Sequence, residues 1–191
     1  MDMVQFTLKG TLPLLMHNVA SMMTSDEGRI LPPEEAAEKA AYRLPDGSLC
    51  FPAAGVRNAM LKAMMGAKAI EEKTRQKKSA TALLSAAVLL ADDWFPFVDV
   101  DNNALRDYRI DIRSVMIRGR GRIPRARPRL EPPWYLVGCF MFRSDTVAEV
   151  LVHQALELAG RTVGIGDFRL EKKGPFGAFE VATLKVVEGR D

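Results

Sequence analysis

Cysteine and histidine are scarce in this chain, with two of each among 191 residues. A disulfide framework is excluded, because that needs several cysteines in a small secreted domain, and no spacing resembles a zinc cluster. Cys50 and Cys139 both lie in apolar runs and are expected to be buried as small hydrophobes. No apolar run reaches the roughly 18 residues that a membrane span needs. The start lacks the basic leader and apolar core of a signal peptide and alternates like a strand instead. A cytoplasmic protein with no membrane partner and no cofactor is expected.

Acidic residues are missing from one stretch. Residues 112–130 hold seven arginines (Arg113, Arg118, Arg120, Arg122, Arg125, Arg127 and Arg129) and no carboxylate. The whole chain carries a net charge of only +3, so everything outside that stretch is slightly acidic. A local excess of this kind is the electrostatic footprint of a site for a polyanion.

Hydrophobic residues make up 48% of the chain, enough for a sizeable core in one domain. Alternation predicts a strand over 3–9, followed by a loop over 11–25. Pro32 and Pro33 ahead of Glu34 and Glu35 predict a helix that runs to about Arg43. Leu44-Pro45-Asp46-Gly47 reads as a turn, 49–51 as a short strand, and 52–65 as a helix. An insertion is placed at about 66–95, with a polar, lysine-rich loop or frayed helix first, then an apolar stretch over 81–90 that fits helix or strand, its alanine content favouring helix. Strands are expected over 94–100, 108–117, 134–143 and 179–187. Pro124, Pro128, Pro132 and Pro133 are expected to break regular structure across the arginine stretch. Ser144 and Asp145 are expected to cap a helix that Gly160 closes. These elements predict an α+β, ferredoxin-like (RRM-like) four-stranded antiparallel sheet with two main helices and basic loop insertions.

Arginine stays charged and grips phosphate through a planar fork, so the stretch suits a nucleic-acid backbone. Trp134 and Tyr135 follow it and are expected to stack on unpaired bases. A second basic element is the glycine-rich segment 164–177, in which Gly164, Gly166 and Gly174 let backbone approach a phosphate. Arg169, Lys172 and Lys173 supply its charge. A strand rather than a helix follows, so it is not a dinucleotide fingerprint.

The order glycine–hydrophobic–glycine, basic stretch, glycine–x–x–glycine and final strand resembles the glycine-rich loop of the RAMP superfamily. These RNA-binding proteins form backbone and processing subunits of CRISPR effector complexes. The segment Asp46–Met60, with Phe51-Pro52-Ala53-Ala54-Gly55-Val56-Arg57-Asn58 at its centre, is similar to the family's first helix entry, with Ala53-Ala54 in place of the usual small hydroxyl residues. The full pattern looks most like small phage and prophage members. The resemblance implies RNA contacts from Arg57 and Lys62.

Two residues are weighed for catalysis. The resemblance to processing endonucleases suggests proton transfer by His17, whose near-neutral pKa suits general acid–base work. Asp26 matches the loop aspartate with which some backbone subunits cleave. One histidine cannot serve as both acid and base, so the expected function is non-catalytic binding of single-stranded RNA or DNA, with RNA favoured. Assembly along the strand as a homo-oligomer, or within a larger ribonucleoprotein, is part of that expectation. A metal-independent endoribonuclease using His17 is one alternative. A protein–protein module that docks an acidic partner on its basic face is the other.

Overall fold

The computed structural model describes residues 1–19, 31–117 and 121–188. The chain is α+β, with antiparallel sheets and, among the described residues, four α-helices. Asp26, Arg118 and Arg120 lie outside the described residues.

The alternation of β1 (Asp2–Gly10) organises the molecule. Val4, Phe6 and Leu8 are fully or almost fully buried, while Gln5 points from the opposite face into solvent. β1 lies between β10 (Tyr135–Phe142) and β11 (Phe179–Val187), antiparallel to both. Beyond β10 come β7 (Trp94–Val98) and then β3 (Cys50–Pro52), and β6 (Val88–Leu90) also pairs with β10, so the sheet has six strands rather than the expected four, β3 and β7 extending its edge. Phe6, Phe95 and Phe140 meet on the buried face, their ring centroids 5.0–5.5 Å apart. Two helices cover that face and touch each other: α2 (Ala53–Ala63) and α4 (Glu149–Thr162). They bury Val56 and Met60 from α2, and Val152, Ala155 and Leu156 from α4.

Segment 66–95 is more regular than expected. Its lysine-rich part is a hairpin of β4 (Lys68–Ile70) and β5 (Lys77–Ser79). The alanine-rich part is a helix, α3 (Ala80–Ala87), that passes directly into β6. Leu83, Leu84, Val88 and Phe95 all join the common core.

The arginine stretch departs from expectation. β8 (Arg109–Ile117) and β9 (Gly121–Leu130) form a continuous antiparallel hairpin, and β2 (Leu14–Leu15) pairs with the end of β9. Pro124 and Pro128 do not break it. The Pro128 carbonyl accepts a hydrogen bond from Met16 N, so the ring nitrogen of residue 128 also faces away from β8. Pro124 has the same parity, so neither proline removes a donor from the β8 ladder.

Two helix ends also differ. α1 (Pro33–Ala40), which packs on β9, stops before Arg43 because Arg43 bridges to Leu49 in extended form. α4 begins after Ala148, not at Ser144, whose hydroxyl donates to Asp2 Oδ2 instead. Cys50 is buried and Cys139 half-buried, and burial pushes the Cys50 thiol up to about 11.

Candidate nucleic-acid interface

Side chains alternate along the hairpin, so Arg109, Asp111 and Arg113 share a face with Arg125, Arg127 and Arg129. That face packs on the glycine-rich segment. Arg113 Nε lies 2.6 Å from Asp111 Oδ1, and Arg129 Nη1 lies 3.4 Å from Asp111 Oδ2. Arg129 also pairs with Glu131 at 2.9 Å. Arg127 is almost fully buried and pairs with Asp167 of the glycine-rich segment, Nε to Oδ2 2.8 Å. That N–H is not aligned for a hydrogen bond, so the attraction is chiefly coulombic. Phe176, also buried, carries the Arg113 and Arg129 guanidinium groups at 4.8 and 5.7 Å from its ring centroid.

These contacts correct the expected charge. The carboxylates absent from 112–130 come from just outside it, at positions 111 and 131, and from 167 across the fold. Arg113, Arg127 and Arg129 are engaged within the protein. Exposed Arg122 makes no ion pair with a described residue, and Arg125 lies 3.3 Å from His17 Nε2 through Nη1.

Beside the hairpin lies a cleft of about 420 Å³. One wall is the α2 face bearing Gly55, Asn58, Ala59 and Lys62. The other is the run from Gly164 to Asp167 with Arg169, and His17, Tyr42 and Phe51 line the rest. Lys62 and Arg169 meet on one carboxylate: Lys62 forms an ion pair with Glu171, and Arg169 Nη2 donates to Glu171 Oε2 at 2.9 Å. The Lys62 hydrogen bond, followed by the neighbouring Arg169 charge, holds Glu171 below the usual carboxylate range.

The Tyr42 hydroxyl donates to the His17 carbonyl at 2.8 Å. Burial lowers the His17 pKa; Asp167 opposes this, and Arg125 and Arg127 reinforce it. Folding therefore favours the neutral imidazole. The stability this gives is present above the unfolded value of about 6.5 and is lost as pH falls through the folded pKa. In urea unfolding, the wild type should lose more stability than His17→Gln between about pH 8 and pH 5. Identical pH slopes would show that the imidazole is not held neutral.

The cleft gathers His17, Lys62, Gly164, Gly166 and Arg169 from the sequence-based set. Besides the hairpin arginines, five of that set fall elsewhere. Arg57 donates from Nε to Val88 O at 2.7 Å and from Nη2 to Ser85 O at 2.8 Å, tying α2 to the end of α3. Trp134 is fully buried, with its indole N–H bonded to Leu12 O at 2.9 Å and its ring where a Cβ on Gly10 would sit. It cannot stack on a base. Gly174 is buried against the Phe168 carbonyl rather than open to a phosphate. Lys172 and Lys173 are exposed on the 3-10 turn Leu170–Lys172 and its left-handed end.

In comparison with protein families and with curated proteins, the chain matches none. Among the described residues, no group of three or more His, Cys, Asp or Glu side chains is placed to hold a metal ion. None of the described helices is long and apolar enough to cross a membrane.

Sequence reasoning missed Tyr42, Asn58 and Asp167. Asn58 was within reach, because Gly55, Asn58 and Lys62 share a helical face while Arg57 does not. Tyr42 and Asp167 carried no local signal, since their partners lie 25 or more positions away.

Proposed function

We propose that the chain binds single-stranded nucleic acid, RNA in preference to DNA, on a surface running from hairpin β8–β9 into the cleft, and that it does not cleave the strand. One observation carries this reading. The two segments that resemble the RAMP superfamily line opposite walls of one cleft, and Arg125 reaches His17 on its margin. Arg122, Arg125, Lys172 and Lys173 are the charges best placed for phosphates, since they are not enclosed by internal ion pairs. No helix carries these arginines into a duplex groove. The path β11–β1–β10–β6, with α4 between β10 and β11, supports reading the main sheet as an elaborated ferredoxin-like, RRM-like fold. Exposed Ile112 and Met116 on the outer hairpin face support contacts between copies assembled along a strand, or within a larger ribonucleoprotein.

Electrophoretic mobility with labelled single-stranded RNA, single-stranded DNA and duplex at two salt concentrations tests the reading. Single strands should bind more tightly, and affinity should rise with oligonucleotide length, as it would not for a module built for an acidic protein. Arg122→Ala with Arg125→Ala should weaken binding and flatten the salt slope by roughly 0.7 per lost phosphate contact. Equal or tighter binding to duplex would overturn the proposal.

A metal-independent ribonuclease is the second reading, favoured by a half-buried His17, its pKa lowered by burial, beside Arg125 in the cleft. It requires cleavage of RNA but not of a 2′-deoxy strand, lost in His17→Ala. RNA that stays intact while bound is the result expected here.

A further inference from the structure

We propose that Phe168 is a stacking platform for an unpaired nucleobase, placed where the hairpin meets the glycine-rich segment. This rests on the nucleic-acid reading above and adds to it a contact with bases rather than phosphates.

The backbone at Phe168 is in the left-handed region, with φ +48. A non-glycine residue there is strained, and an aromatic one is unusual. Gly164, Gly166 and Gly177 also have positive φ, and so does the exposed Lys173, but Phe168 is the only aromatic residue held in that region among the described residues.

Several contacts hold that conformation. The Phe168 N–H donates to Asp167 Oδ1 at 2.9 Å, and Arg127 holds the other oxygen of the same carboxylate. Gly174 N bonds to Arg169 O at 3.1 Å, and a Cβ on Gly174 would fall 1.6 Å from the Phe168 carbonyl oxygen. The residue is 40% exposed, and among the described residues its ring meets one other, Phe176, tilted at 6.1 Å.

The surroundings fit a nucleic-acid strand. Arg113 lies over Phe176 at 4.8 Å, so a cation and two rings form a continuous step from hairpin to loop. Arg169 follows Phe168 in sequence, and Lys172 and Lys173 are exposed on the same loop. An exposed ring beside cations is the arrangement on which successive bases stack while the backbone is held by charge.

The experiment compares a short oligouridine with an abasic strand of equal length, each at two salt concentrations. Phe168→Ala should weaken oligouridine binding at least about five-fold, leaving abasic-strand affinity and salt slope unchanged. Phe168→Trp should restore the affinity, and its indole should be quenched by the bound strand. Wild-type affinity in Phe168→Ala, or equal losses for both strands, would overturn the assignment. A wild-type protein that binds neither strand would instead sink the nucleic-acid reading, and this inference with it.

Discussion

The Gly160→Ala variant is expected to lose about 3 kcal/mol or more of stability, although it replaces a helical glycine with the best helix former. In an open helix that change gains about 0.5–1 kcal/mol. Here the added Cβ would lie 2.0 Å from the Phe179 carbonyl oxygen and 2.8 Å from its carbon. The obstacle is main chain at the start of β11, which cannot rotate aside as a side chain can. Either α4 moves off the sheet or β11 shifts against β1, and either movement disturbs buried Leu156, Ala159 and Val163. Thermal unfolding should show a fall of roughly 6–12 °C for a chain of this size. An unchanged melting temperature would mean that α4 and β11 do not approach closely.

Arg127→Ala should cost about 3 kcal/mol. The guanidinium is 6% exposed at the side chain, and burial lowers its pKa while Asp167 opposes the shift. Truncation leaves Asp167 without its counter-charge and opens a cavity beneath the hairpin. Asp167 is 30% exposed, so water relieves part of that penalty, which places the loss at the low end for buried pairs. Arg127→Met combined with Asp167→Leu should recover much of it, because the pair is then replaced by apolar volume. Chemical denaturation of Arg127→Met, Asp167→Leu and the two combined measures the coupling. Additive losses would show that the ion pair does not join the hairpin to the loop. The same variants bear on the proposed stacking role of Phe168, because Asp167 also accepts the Phe168 N–H.

Where local chemistry sufficed, the elements were legible in the sequence. β1 could be read from the alternation of Val4, Phe6 and Leu8, and α1 from its prolines and acids. The Leu44–Gly47 turn closes as expected, with Gly47 N bonded to Leu44 O at 2.9 Å and a Gly47 φ of +84. Gly160 was misread as a helix end, because a glycine needed for close packing looks the same in sequence as one needed for a left-handed cap. The prolines of β9 were misread because the cost of a proline in a strand depends on which neighbour its nitrogen faces.

The sequence by itself determined the α+β composition, the buried face of the main sheet and the presence of two basic segments, since each follows from short-range pattern. Only the tertiary structure decided which charges are spent internally. Asp111, Glu131 and Asp167 reach the arginines through strand register and loop docking, so a stretch with no carboxylate of its own has three of its guanidinium groups paired. Helix phase likewise divided Arg57 from Lys62, holding one against α3 and turning the other to the cleft. Trp134 was removed from the surface by the space left at Gly10, and Phe168 was kept there by the turn its neighbours impose. Ion pairing and exposure depend on distances between residues remote in the chain, and those distances exist only once the chain has folded.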